Sequence, residues 1–136
     1  MKKYLSLVLF LPLSLSANNG MIEESHEQEE PVFYCTANNG KLIELSKYRE
    51  VYTYRFGADL NKPELTLENH IEDVRRVSEV VNGVESKRFY DLKSGNYTYR
   101  VFSSNPKNYQ GNGVEVFKNK KSIARIECAG DIHIFD

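Results

Sequence analysis

Apolar residues in this chain recur mostly at every second position and in short runs, the signature of strands with one buried and one solvated face. Val32-Phe33-Tyr34-Cys35 leads into Asn39-Gly40 and then Lys41-Leu42-Ile43-Glu44-Leu45, which reads as a hairpin because Asn-Gly accepts the positive φ angles of a tight turn. Val51 to Phe56 places Tyr52, Tyr54 and Phe56 on one face, and Glu64 to Leu67 follows the turn Asn61-Lys62-Pro63. Arg88 to Leu92 and Asn96 to Ser103 flank Ser94-Gly95, while Val114 to Phe117 and Ile123 to Cys128 flank a turn at Lys118 to Lys121. A last strand is expected over Asp131 to Phe135.

One stretch breaks the period. Leu67, Ile71, Val74, Val77, Val80 and Val81 fall at helical spacing, Asn69 with Glu72 matches a capping box, and Gly83 stands where a helix would stop. The valines pull the other way, since β-branched residues are middling helix formers. Helix, or strand with an irregular loop, are therefore open alternatives over residues 67–81. The expected fold is mainly β: a single small antiparallel barrel or sandwich of about eight strands, with room for one short helix.

The ends of the chain add a compartment. Met1-Lys2-Lys3 is a positive n-region, Leu5 to Leu15 an apolar h-region, and Ser14, Ser16 and Ala17 are small residues suited to cleavage, so residues 1–17 read as a signal peptide. The apolar run is about 11 residues, short of the roughly 20 a membrane-spanning helix needs. No cysteine stands at the cleavage site to carry a lipid anchor, and a periplasmic or secreted address is expected. Residues 18–30 carry Glu23, Glu24, Glu27, Glu29 and Glu30 with few apolar neighbours, the composition of a solvated, disordered leader. From Pro31 onward, 16 basic residues face 14 acidic ones, and residues 31–136 are enough for one domain with one core.

Cys35 and Cys128 are the only cysteines and fall near opposite ends of that domain. An exported chain with two thiols pairs them, closing a very long loop that chain-entropy reasoning values at about 4–5 kcal/mol. Two thiolates alone do not complete a zinc shell, and no Cys-x-x-Cys redox motif is present.

No nucleophile, base and orienting group stand in a catalytic pattern, so neither an enzyme nor a cofactor is expected. His26 lies in the acidic leader, and His70 and His133 would hold a metal only if the fold brought them together. Arg75-Arg76 and Lys118, Lys120 and Lys121 have acids close by, which argues against nucleic acid as a partner. The tyrosines are the more suggestive feature. Tyr48, Tyr52, Tyr54, Tyr90, Tyr97, Tyr99 and Tyr109 divide between cross-strand core pairs and a candidate binding face, beside which lies the long polar segment Ser103 to Gly113.

An early strand Phe33-Tyr34-Cys35-Thr36 before a turn glycine and a Lys-Leu strand, with a late strand bearing Ala124-x-x-x-Cys128, resembles the C-type lysozyme inhibitors of the Gram-negative periplasm. Those are small antiparallel barrels, closed by a disulfide between an early and a late strand, that insert a loop into the lysozyme cleft. The resemblance would make Ser94-Gly95 the start of the inserted motif and Lys118, after Phe117, the lysine of the second motif. Tyr97 and Tyr99 come three and five residues after Ser94 where the family has tyrosine at four, Trp is absent, and Asn119 replaces a glycine. Segments such as Tyr54-Arg55-Phe56-Gly57 and Gly95-Asn96-Tyr97-Thr98-Tyr99 also resemble small exported proteobacterial β-proteins. The expectation is an exported binding protein that neutralises a lysozyme-type wall hydrolase or a delivered toxin through Ser94, Gly95, Tyr97, Tyr109 and Lys118. The alternative is a small envelope or carbohydrate-binding module.

Overall fold

β-branched and aromatic residues alternate with polar ones through most of the domain, and the chain folds accordingly into nine strands of one antiparallel sheet. A computed structural model describes residues 29–104 and 111–134. The strands are β1 Glu30–Ala37, β2 Leu42–Tyr48, β3 Val51–Gly57, β4 Leu65–His70, β5 Arg75–Val81, β6 Val84–Ser94, β7 Tyr97–Ser104, β8 Gly113–Lys118 and β9 Lys121–Ile134. Their order across the sheet is β4-β3-β2-β1-β9-β8-β7-β6-β5. The sheet curls into a half-barrel whose concave side holds the core.

Two meanders, β1 to β4 and β5 to β8, are joined through β9, which pairs with β8 along its first half and with β1 along its second. The separate last strand expected at Asp131 is the continuation of β9, and Asp131 itself adopts a φ of 49° within it. Register shifts against β1 at Tyr34/Thr36 and Thr36/Ala37 mark the same bend. Such bulges increase local twist, which is what lets one long strand serve both halves of a curled sheet.

Residues 67–81 form no α-helix; they are the end of β4, a short turn and β5. Leu67 is buried in the core and Ile71 and Val74 pack against it, but Val80 and Val81 point to solvent. The helical spacing of these residues thus joins positions in unrelated surroundings. Only Ile71–Asp73 forms a single 3-10 turn, and its cap is His70, whose Nδ1 accepts the Glu72 N–H, rather than Asn69. Every neighbouring pair in the sheet is antiparallel, so the two edge strands β4 and β5 run the same way. They are successive halves of one interrupted strand, the first paired with β3 and the second with β6.

Phe33, Cys35, Ile43, Leu45, Tyr54, Leu92, Val101 and Val114 form the centre of the core. Tyr52 packs on Tyr90 and Tyr54 on Tyr99, with ring centroids 5.7 Å apart in both pairs, so tyrosines of β3 meet those of β6 and β7 across the barrel. Burial pushes the Tyr54 hydroxyl well above the ordinary phenol range, with the neighbouring Tyr99 adding to the shift. Cys35 and Cys128 form the expected disulfide, with Cα atoms 5.8 Å apart, and tie β1 to β9 inside this core. A disulfide of this kind belongs to an oxidising compartment. Among the described residues no helix is long and apolar enough to cross a membrane.

Candidate functional site

Strand register decides which of the sequence-derived residues meet. Ser94 on β6 opposes Tyr97 on β7, Tyr97 opposes Lys118 on β8, and Lys118 opposes Lys121 on β9. Residues as many as 27 positions apart in the chain thereby form one lateral row at the end of four strands. Ser94 has the same parity as the core residues Tyr90 and Leu92, and Tyr97 the same parity as Val101, so the row lies on the rim of the concave side. Lys118 Nζ sits 5.7 Å from the centroid of the half-buried Tyr97 ring.

Two tight turns build this rim. Gly95 has a φ of 60° and no Cβ neighbour within 4 Å, as the first central position of a type II′ turn requires. Asn119 and Lys120 have φ values of 52° and 72°, the pattern of a type I′ turn. Asn119 therefore performs the conformational task of the glycine it replaces, because asparagine tolerates the left-handed region. The Asn119 N–H donates to the Asn96 carbonyl at 3.0 Å and locks the two turns side by side. Ser94, Gly95, Tyr97 and Lys118 are brought together; Tyr109 lies outside the described residues.

On the outer face the neighbouring row is Lys93, Thr98, Phe117 and Ser122. It opens into a groove of about 380 Å³ that Lys120 and the 3-10 turn residues Glu72 and Asp73 also line. Lys93, Lys118, Lys120 and Lys121 form no ion pair among the described residues, so this end of the sheet presents four lysines whose charges remain available.

Elsewhere on the outer face the guanidinium groups are committed. Arg75, Asp91, Arg100, Glu115 and Arg125 stand directly opposite one another across five strands, a row of alternating charge. Asp91 is buried and accepts from Arg100 Nε and an Nη at 2.7 and 3.0 Å. These hydrogen bonds raise the Arg100 pKa against the opposing effect of burial. Arg100 also lies between Phe89 and Phe117, 4.0 and 4.9 Å from their centroids, and Arg125 lies 4.2 Å from that of Phe102. Cations thus roof the outward-facing Phe89 and Phe102, which are only 6% and 5% exposed. Arg55 is likewise held, by Glu29 and Glu44, and Glu29 is also bound by Ser46.

His70 and His133 do not converge. His70 contacts Glu50 at 3.0 Å on the edge strand, His133 packs on the Tyr34 ring, and strands β3, β2 and β1 separate them. Among the described residues no group of three or more His, Cys, Asp or Glu side chains is placed to hold a metal ion. Sequence reasoning missed Lys93, Lys120 and Lys121 as members of the rim. Their alternation signals an exposed position, but only cross-strand register shows that they share an end.

The fold and site define a small disulfide-tied antiparallel β half-barrel with a cationic rim. No protein-family model, curated protein or solved structure matches the chain.

Proposed function

We propose that this is a periplasmic or secreted protein that binds and blocks a protein partner bearing a carboxylate-lined cleft, a lysozyme-type cell-wall hydrolase or a delivered toxin. The observation carrying this reading is the row Ser94–Tyr97–Lys118, flanked by three further unpaired lysines. A serine hydroxyl and a lysine ammonium complement the paired carboxylates with which glycosidases cleave sugars. A half-buried tyrosine beside them supplies contact area at small entropic cost. The signal-like amino terminus supports the exported address.

The test is turbidimetric: lysis of cell-wall suspensions by C-type lysozyme, with and without the purified protein in its disulfide form. Slowed lysis, restored by Ser94→Ala with Lys118→Ala while the unfolding midpoint is unchanged, is the expected result. An enzyme that stays fully active with excess protein, across a panel of wall hydrolases, overturns the hydrolase reading. The alternative of a carbohydrate-binding envelope module has less support, because Tyr52, Tyr54 and Tyr90 are buried in the core and unavailable to stack on sugars. Co-sedimentation with isolated peptidoglycan in the absence of any enzyme would favour it instead.

A further inference from the structure

The dipeptide Asn-Gly occurs four times in the chain, and three of the four, Asn39-Gly40, Asn82-Gly83 and Asn112-Gly113, lie within or border the strands described above. It is the dipeptide in which a backbone nitrogen most easily attacks the preceding side chain, because glycine has no Cβ to obstruct the approach. The fold treats the three copies differently. At the β1–β2 turn both reacting groups are held: the Gly40 N–H donates to the Ala37 carbonyl at 2.9 Å, and Asn39 Oδ1 accepts the Lys41 N–H at 3.0 Å. Asn112 is buried, its Oδ1 accepts the Ser104 N–H at 3.1 Å, and its carbonyl accepts the Cys128 N–H at 2.8 Å. Gly113 is fixed in the ladder between Phe102 and Glu127.

Asn82-Gly83 has none of these restraints. It forms the tip of the β5–β6 hairpin, both residues are exposed, and the Asn82 side chain makes no hydrogen bond among the described residues. The Gly83 N–H likewise enters no turn hydrogen bond among them. A Cβ placed on Gly83 would meet nothing within 4 Å, so no neighbouring element packs against that side of the residue. Only the Val81–Val84 pair closes the turn, next to Val80, Val81 and Val84, which are 62%, 50% and 55% exposed. A hairpin end of this kind opens locally at low cost.

We infer that, among the described residues, Asn82 is the site of spontaneous modification, converting to aspartate and isoaspartate through a cyclic imide formed with Gly83. The Gly83 backbone nitrogen bonds to Asn82 Cγ, the Cγ–Nδ2 bond breaks, and ammonia leaves carrying the proton that Gly83 loses. Water then opens the imide at either carbonyl. Opening at one returns a normal backbone with a new carboxylate; opening at the other puts an extra methylene into the main chain. Both products set a negative charge among three exposed valines, and isoaspartate breaks the two-residue geometry that the turn needs.

Tryptic mapping with fragment-ion sequencing of the disulfide-intact protein, incubated in mildly alkaline buffer, separates the three sites: Asn82 falls in the peptide 77–87, Asn112 in 108–118, and fragment ions tell Asn39 from Asn19 in the peptide they share. Conversion at Asn82 is expected at least about tenfold faster than at either other site. The same map on reduced, denatured protein should bring the three rates within a few-fold of one another. Faster conversion at Asn39 or Asn112 in the folded protein overturns the assignment. So does a preference for Asn82 that survives denaturation unchanged, because the selectivity would then come from flanking sequence and not from the fold.

Discussion

The side-chain amide of Asn69 pairs with both backbone polar groups of Lys93, accepting its N–H at 2.7 Å and donating to its carbonyl at 3.1 Å. An asparagine side chain here imitates a strand neighbour. Edge strand β4 is joined to β6 just above the point where β5 takes over pairing at Asp91. Removing the amide leaves two backbone groups of β6 without these partners. Asn69→Ala is expected to cost about 1–3 kcal/mol in urea unfolding. Asn69→Asp, which keeps the acceptor and loses the donor, should fall between it and the wild type.

Gly113 is required by contact. A Cβ there would lie 2.1 Å from the Ile126 carbonyl oxygen, and backbone in mid-sheet cannot withdraw. Gly113→Ala is expected to destabilise the domain by about 3 kcal/mol or more, or to prevent folding. Gly40→Ala meets nothing within 4 Å and carries only the strain of its φ of 84°, so its cost should be about 1 kcal/mol. Similar unfolding midpoints for the two variants would contradict this account.

The Cys35–Cys128 bridge spans a sequence separation of 93 and joins two buried residues. Reduction is expected to lower unfolding stability by about 2–5 kcal/mol. Protection from hydrogen exchange should weaken first where β1 meets β9. Unfolding curves that coincide for the oxidised and reduced protein would show that the bridge adds nothing.

Hydrogen bonds from Arg88 and then Ser78 hold the Glu85 carboxyl below its ordinary value of 4.5. A lowered folded pKa means stabilisation that is present above the ordinary value and is lost as pH falls through the folded one. Glu85→Gln should therefore be less stable than wild type at neutral pH, and the gap should close as pH falls below 4.5. The effect is small, because the side chain is 38% exposed and solvent screens the pair. A gap that widens in acid would reverse the assigned sign.

Much of the architecture is legible in the sequence. Asn39-Gly40 marks the β1–β2 turn, Ser94-Gly95 the β6–β7 turn, and alternation around Tyr52 and Tyr54 their shared inward face. Two cysteines give the disulfide. Residues 67–81 are not legible, since Leu67 packs in the core, Val80 and Val81 reach solvent, and no local pattern reports that the chain changes sheet partner between them. The rim is half legible. Ser94 and Lys118 can be picked from a resemblance, but the Asn119–Asn96 hydrogen bond and the row through Tyr97 follow from register, which depends on residues far away in sequence.

The place of β9 between β1 and β8 sets how the domain can be assembled and how it can be broken. Until the segment from Lys121 onward arrives, no backbone ladder links β1–β4 to β5–β8, and Cys35 has no thiol to meet. The early half must wait for the final strand, as in other topologies dominated by contacts between distant parts of a chain. A frameshift or proteolytic cut ahead of β9 therefore does not trim this protein to a smaller working piece. It removes the keystone and leaves two meanders that share no ladder, held by the Asn69–Lys93 contact and the packing of their tyrosines.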